Sequence, residues 1–120
     1  MRINSYDIMD EVAQNGGGTW CLNDGYLPWE GYFVALGGRF GQVLPNNKAN
    51  AITLANFIRK HYASLTGRGV YLGVWKDKKS GKTWYDLVEC VEGREEAVAL
   101  GRQREQIAVW DIARQEEVPC

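Results

Sequence analysis

The chain has 120 residues, 45% of them hydrophobic and 24% charged, with 14 Lys plus Arg against 15 Asp plus Glu. That suits one globular domain able to bury a core without disulfides or metal. A net charge of −1 excludes the basic footprint of a dedicated nucleic-acid binder and the acidic surface of a DNA mimic, so no direct sequence-specific nucleic-acid contact is expected. No apolar run approaches the ~20 residues of a membrane span. Met1 to Asp10 lacks the apolar stretch of a secretory signal, so the expected location is cytoplasmic.

In chain order, Asn4 to Gln14 reads as a helix, with Ser5 as its cap, acids in the first turn and Asn15-Gly16 as its stop. Tyr6, Met9 and Ala13 are expected to face the core. Thr19 to Leu22 and Gly31 to Leu36 read as two strands of a wide hairpin, separated by the turn residues Asn23-Asp24-Gly25 and the Pro28 loop. Gly41 to Leu44 adds a short strand before Pro45. From Ala49 to Leu65, Ala51, Ile52, Ala55, Ile58 and Tyr62 repeat at helical spacing, and Gly67 ends the run. Val70 to Lys76 and Lys82 to Val91 are β-branched and aromatic runs joined by Asp77-Lys78-Lys79-Ser80-Gly81, a hairpin turn by its chemistry. A third helix over Arg94 to Glu105 and a strand over Ile107 to Ile112 follow.

This order mixes hairpins with helices instead of alternating strictly. It predicts an α+β fold, a mainly antiparallel sheet of about five strands with three helices. Residues 1–113 form a single compact domain on this reading, and 114–120 a polar C-terminal tail. Val70, Leu72 and Val74 fall on one face of their strand and Tyr71 and Trp75 on the other, so the sheet is either covered on both sides or exposes an aromatic face.

Reactive chemistry is sparse. Cys21, Cys90 and Cys120 have no paired spacing for a disulfide framework or a zinc site; Cys90 reads as a small core residue and Cys120 as a mobile, exposed terminus. His61 is the single histidine, which excludes a histidine-rich metal centre; its neighbours Arg59, Lys60 and Tyr62 suggest a solvated helix face. Ser80-Gly81-Lys82-Thr83 copies the end of a phosphate-binding loop, but Lys76 stands where the first glycine belongs and the segment joins two strands, so it reads as a turn. Asp86 and Glu89 fall on opposite faces of one strand and form no local acid pair. Asp86, on the face of Trp84, reads as structural. No catalytic residue, metal ligand or cofactor is therefore expected.

The compositional excess is in tryptophan, five residues in all. Trp75 and Trp84 flank the lysine-rich hairpin, whose pairing allows them to be cross-strand neighbours, an aromatic base beneath a basic tip. Trp75, Lys78, Lys79, Lys82 and Trp84 make up the expected partner surface, with Trp29 as a further candidate in its loop.

Several blocks carry a resemblance: Asn15-Gly16-Gly17-Gly18-Thr19, Gly31-Tyr32-Phe33-Val34, Tyr71-Leu72-Gly73-Val74-Trp75, Asp86-Leu87, Glu95-Glu96-Ala97, Leu100-Gly101 and Gln106-Ile107-Ala108-Val109-Trp110-Asp111. With them the chain resembles small accessory proteins of bacteriophages and mobile elements that end in a "Q-x-A-I-W-D"-like strand. That resemblance implies a bacterial host cell and an anti-defence role of the anti-CRISPR kind. The resulting expectation is a non-enzymatic phage or mobile-element protein, a monomer or small homo-oligomer, that binds and inhibits a host defence protein such as a CRISPR effector. The alternative is a ligand-binding protein that sequesters a nucleotide signal.

Overall fold

A computed structural model describes residues 4–23 and 26–120; Asp24 and Gly25 of the expected turn lie outside the described residues. The fold is α+β, with four helices and seven antiparallel strands among the described residues. Helix α1 runs Ser5–Asn15. Strands β1, Gly17–Trp20, β2, Tyr32–Ala35, and β3, Gly41–Pro45, follow. Helices α2, Ala51–Lys60, and α3, Tyr62–Leu65, precede β4, Tyr71–Asp77, and β5, Lys82–Val91. Helix α4, Arg94–Gln103, leads into β6, Ala108–Asp111, and β7, Glu116–Pro119.

The sheet order is β1-β4-β5-β2-β6-β7, and β3 pairs with β5 off that path. Strand β5 organises it. One edge of β5 pairs with β4 over Lys82 to Val88; the other takes β3 along Lys82 to Asp86 and β2 along Val88 to Val91. The β4–β5 hairpin is the one the sequence predicts, with Asp77 Oδ1 accepting from Lys79 N at 3.1 Å and Gly81 N donating to Asp77 O at 3.0 Å. The expected hairpin of the first two strands does not form. β1 pairs with β4, and β2 with β5 and β6, so each finds its partner far along the chain.

Both helix layers lie on one face of the sheet. Ile8 and Val12 of α1 and Leu54 and Phe57 of α2 pack with Leu72, Val74, Tyr85 and Leu87. Ala97 of α4 packs with Val34, Val91, Val109 and Val118. The cap of α1 is Asn4, whose side chain accepts from Asp7 N, and Gly16 closes the helix at φ 84°, a left-handed turn that glycine adopts without a Cβ penalty. The inward faces of α1 and α2 are rotated from those expected: Tyr6, Ile52 and Tyr62 are exposed, and Ala13 is on the wet side. His61 is likewise not on a solvated face. It is 8% exposed, its ring 4.6 Å from that of Phe57 and 6.0 Å from that of Phe40.

Residues 114–120 are not a free tail. They supply β7, which pairs with β6 from Asp111↔Glu116 to Ala108↔Pro119 and buries Val118. Cys120 N donates to Ile107 O, and Arg102 Nε to the Cys120 carbonyl, so the terminus is held against α4. No helix of the described residues is long and apolar enough to cross a membrane.

Candidate functional site

Side chains on a strand alternate between faces, and directly paired residues on neighbouring strands share one. Tyr85, Leu87, Glu89 and Val91 of β5 therefore point toward the helices. Trp84, Asp86, Val88 and Cys90 point to the other side, where no helix packs among the described residues. Across the ladder the same open face takes Trp75, Gly73 and Tyr71 from β4, Gly41 and Val43 from β3, Phe33 and Ala35 from β2, and Trp110 from β6.

The open face is concave. Trp75 and Trp110 stand on β4 and β6 with β5 and β2 between them, about 14 Å across the strands of a flat sheet at ~4.8 Å per strand, and the register sets them at Trp84 and Cys90 of β5, roughly 20 Å apart along it at ~3.3 Å per residue. Their ring centroids are nevertheless 5.1 Å apart, tilted by 42°, so the sheet curls until its two sides meet across the hollow. Trp75 can spread over the strands because nothing stands beneath it: a Cβ on Gly17 would come within 2.5 Å of its ring, and one on Gly73 within 3.5 Å of its Nε1. The hollow is a cleft of about 600 Å³, walled by Trp75, Trp84 and Trp110, with Phe33 and Val88 in its lining.

Asp86 also lines the cleft. Its partners on both neighbouring strands are glycines, Gly41 on β3 and Gly73 on β4. A Cβ at Gly41 would lie 2.8 Å from Asp86 Oδ1, so the carboxyl rests in the space that side chain would need. Among the described residues Asp86 makes no hydrogen bond or ion pair. Burial alone pushes its pKa up to about 7, because removing water disfavours the charged form. An acid poised near neutrality, in a cleft and without an internal partner, is a functional-site candidate on physical grounds. The other charged groups on the lining are Lys76, Asp77, Glu105 and Glu117. Asp77 also caps the hairpin turn through Lys79 N and Ser80 N, and a hydrogen bond from the Ser80 side chain, first, and then those backbone bonds hold its pKa below the ordinary carboxylate value.

Of the residues singled out in the sequence, Trp75 and Trp84 are direct cross-strand partners and share the cleft. Lys78, Lys79 and Lys82 are exposed at the hairpin end of β4 and β5, beside the mouth that Lys76 lines. Trp29 is 90% exposed in the loop before β2 and is not among the residues that line the cleft. Sequence reasoning missed Trp110 and the open role of Asp86. The legible signal was glycine at 41 and 73 opposite an acid, which requires the strand register to be seen.

The remaining polar groups serve structure. Trp20 Nε1 donates to Glu11 Oε2 at 3.1 Å, and the Tyr85 hydroxyl lies 2.8 Å from Thr53 Oγ1. Arg104 donates to Glu89 Oε2 at 2.8 Å and to Ala35 O, tying the end of α4 to the sheet. Cys21 is buried and Cys90 and Cys120 are half-buried, and no group of three or more metal-ligating side chains occurs among the described residues. No protein family matches this chain, and no curated protein or solved structure is similar to it.

Proposed function

We propose that the protein works by capture without catalysis, and that the concave cleft is where it captures a nucleotide. The observation that carries this reading is the convergence of Trp75, Trp84 and Trp110, from three strands, on one cleft of about 600 Å³. That volume lies within the ~300–1,000 Å³ of small-molecule sites. Indoles bind bases by stacking, worth roughly 1–3 kcal/mol per base. The exposed Lys78, Lys79 and Lys82 at the hairpin end offer the phosphates a positive exit from the cleft. Sequestering a nucleotide signal this way would suit a phage or mobile-element accessory protein acting in the cytoplasm of a bacterial host, the setting suggested by the short blocks quoted above.

The protein purified without denaturation is expected to carry excess absorbance near 260 nm, released by heat, or to quench its tryptophan fluorescence when titrated with nucleotides. If neither occurs at millimolar nucleotide, the reading fails.

A second reading is favoured by the hairpin tip itself, where Lys78, Lys79 and Lys82 stand exposed. There the protein would bind a host defence protein, such as a CRISPR effector, and block it sterically. A pull-down from a lysate containing defence complexes should then enrich one such protein and lose it in the Lys78→Glu, Lys79→Glu variant. Unchanged capture by that variant removes the tip from the interface.

A further inference from the structure

We infer that the cleft selects guanine, the base edge pairing with the Asp86 carboxylate while the ring stacks on the tryptophan walls; this rests on the nucleotide reading above. The first support is geometric. Asp86 is flanked across both ladders by Gly41 and Gly73, so neither directly paired residue puts a side chain beside the carboxyl, although the Trp75 indole reaches over Gly73, and no donor among the described residues occupies its oxygens. An ionised carboxylate is an acceptor with two adjacent oxygens, and it is matched by a planar group with two parallel N–H donors. Among the common bases guanine presents that pair, N1–H and one N2–H, on a single edge. Adenine presents one donor beside an acceptor, which leaves one carboxylate oxygen opposed to a lone pair.

The second support is the arrangement of walls and charges. A planar ring paired with Asp86 lies among Trp75, Trp84 and Trp110, which line the same cleft. The charged groups that face this site are Asp77 of β4, Glu105 in the turn after α4 and Glu117 of β7; Lys82, the direct partner of Asp77, shares their face, whereas Lys76 is turned with its partner Thr83 toward the helices. Glu105 and Glu117 lie on the β6–β7 side and repel phosphate. Lys82, on the face of the cleft beside Asp77, and the exposed Lys78 and Lys79 of the tip attract phosphate. A nucleotide therefore enters base first and leaves its phosphates toward the hairpin. A base edge facing an unpaired carboxylate is a stringent filter, since a ligand that cannot fill the hydrogen bonds leaves a desolvated acid unsatisfied.

Protonation of Asp86 competes with this pairing. With a pKa of about 7, the acid is mostly ionised at pH 8 and mostly protonated at pH 6, so the preference for guanine should weaken as pH falls. Comparing two nucleotides that carry the same phosphate cancels what the phosphate and the flanking charged groups contribute to both.

The test is calorimetric titration of the full chain with guanosine, inosine and adenosine 5′-monophosphates at pH 8 and pH 6. At pH 8 the guanine nucleotide should bind at least about tenfold more tightly than the adenine one. The inosine nucleotide, which lacks the 2-amino donor, should fall roughly tenfold below guanosine, about the worth of one hydrogen bond to a charged group. The guanine-to-adenine ratio should shrink severalfold at pH 6. Asp86→Asn should equalise the nucleotides while retaining weak binding, and Trp84→Ala should weaken all of them together. Equal binding of guanine and adenine nucleotides by the wild type overturns the guanine assignment and leaves the nucleotide reading standing. Absence of binding by every nucleotide overturns both.

Discussion

Asp86 and His61 bring opposite pH dependences into the same small molecule. The Asp86 carboxyl is pushed up to about 7 from an ordinary 3.8 by burial. Below pH ~4 it is protonated in folded and unfolded chains alike and contributes nothing to pH dependence. As pH rises, the unfolded chain releases that proton first, so stability falls between about pH 4 and 7 and stays low above. At 1.36 kcal/mol per unit the loss is of order 2–4 kcal/mol, and Asp86→Asn should restore it at pH 8 while changing little at pH 4. His61 runs the other way. Burial, first, and then the charges of Lys60 and Arg39 lower its pKa below 6.5, so the unfolded state takes up a proton that the folded state refuses, and stability falls as pH drops through that region. His61→Phe, which keeps an aromatic ring between Phe40 and Phe57, should flatten the acid side of the profile. Thermal melts of the two variants from pH 4 to 8 should therefore diverge from wild type at opposite ends. Parallel shifts across the range would mean that neither group carries its assigned linkage.

At the scale of elements, β7 shows how a strand can hide in a polar sequence. Its residues Glu116-Glu117-Val118-Pro119 contain one buried position, Val118, which closes the cluster of Val34, Val91, Ala97 and Val109. Charged residues and a proline on an edge strand discourage pairing with another chain, and they also erase the apolar alternation by which a strand is recognised. Gly101 completes the seat: a Cβ there would come within 2.6 Å of Cys120 Sγ and 3.0 Å of Val109 Cγ1, so α4 approaches the terminus only because that position is glycine. Val118→Ala should cost roughly 1–3 kcal/mol, and Gly101→Val, which overpacks the same contact, a similar amount. Urea denaturation with unchanged slope measures both, and a loss below about 0.5 kcal/mol for each would mean that β7 is not integral to the fold.

The same comparison explains what the sequence revealed and what it concealed. The β4–β5 hairpin was legible because its turn chemistry is local and its flanking runs pair with each other. The pairing of β1 with β4 was not, because nothing in Gly17-Gly18-Thr19-Trp20 names a partner more than fifty residues away. The run from Ala49 to Leu65 was legible as helical, but it is two helices, α2 and α3, divided at His61, and its buried stripe runs through Leu54, Phe57, His61 and Leu65. A histidine in that stripe disguised it, and Ile52 and Tyr62 made the wrong face look apolar. The candidate site suffered the same way. Trp75 and Trp84 could be placed together from the hairpin alone, but Trp110 and the glycines that uncover Asp86 come from strands whose register no local pattern determines.

At the scale of the whole molecule, the curl of the sheet makes the cleft, and Trp75 against Trp110 is the contact across which it closes. A single-layered sheet with helices on one face would otherwise leave a broad aromatic surface in water, the kind of patch that invites association. Curling buries part of that surface within the monomer and leaves an opening of ligand size. Two indoles in contact couple their electronic transitions, so the native protein should show an exciton couplet in its far-ultraviolet circular dichroism. Trp75→Phe and Trp110→Phe should each abolish it, whereas Trp84→Phe, which leaves the contacting pair intact, should preserve it. The same three variants separate shape from recognition. If closure positions the walls for a stacked base, loss of Trp110 should weaken nucleotide binding even where Asp86 and Trp84 are untouched. Full binding by a Trp110→Phe variant that has lost the couplet would show that the curl shelters the sheet but does not build the site.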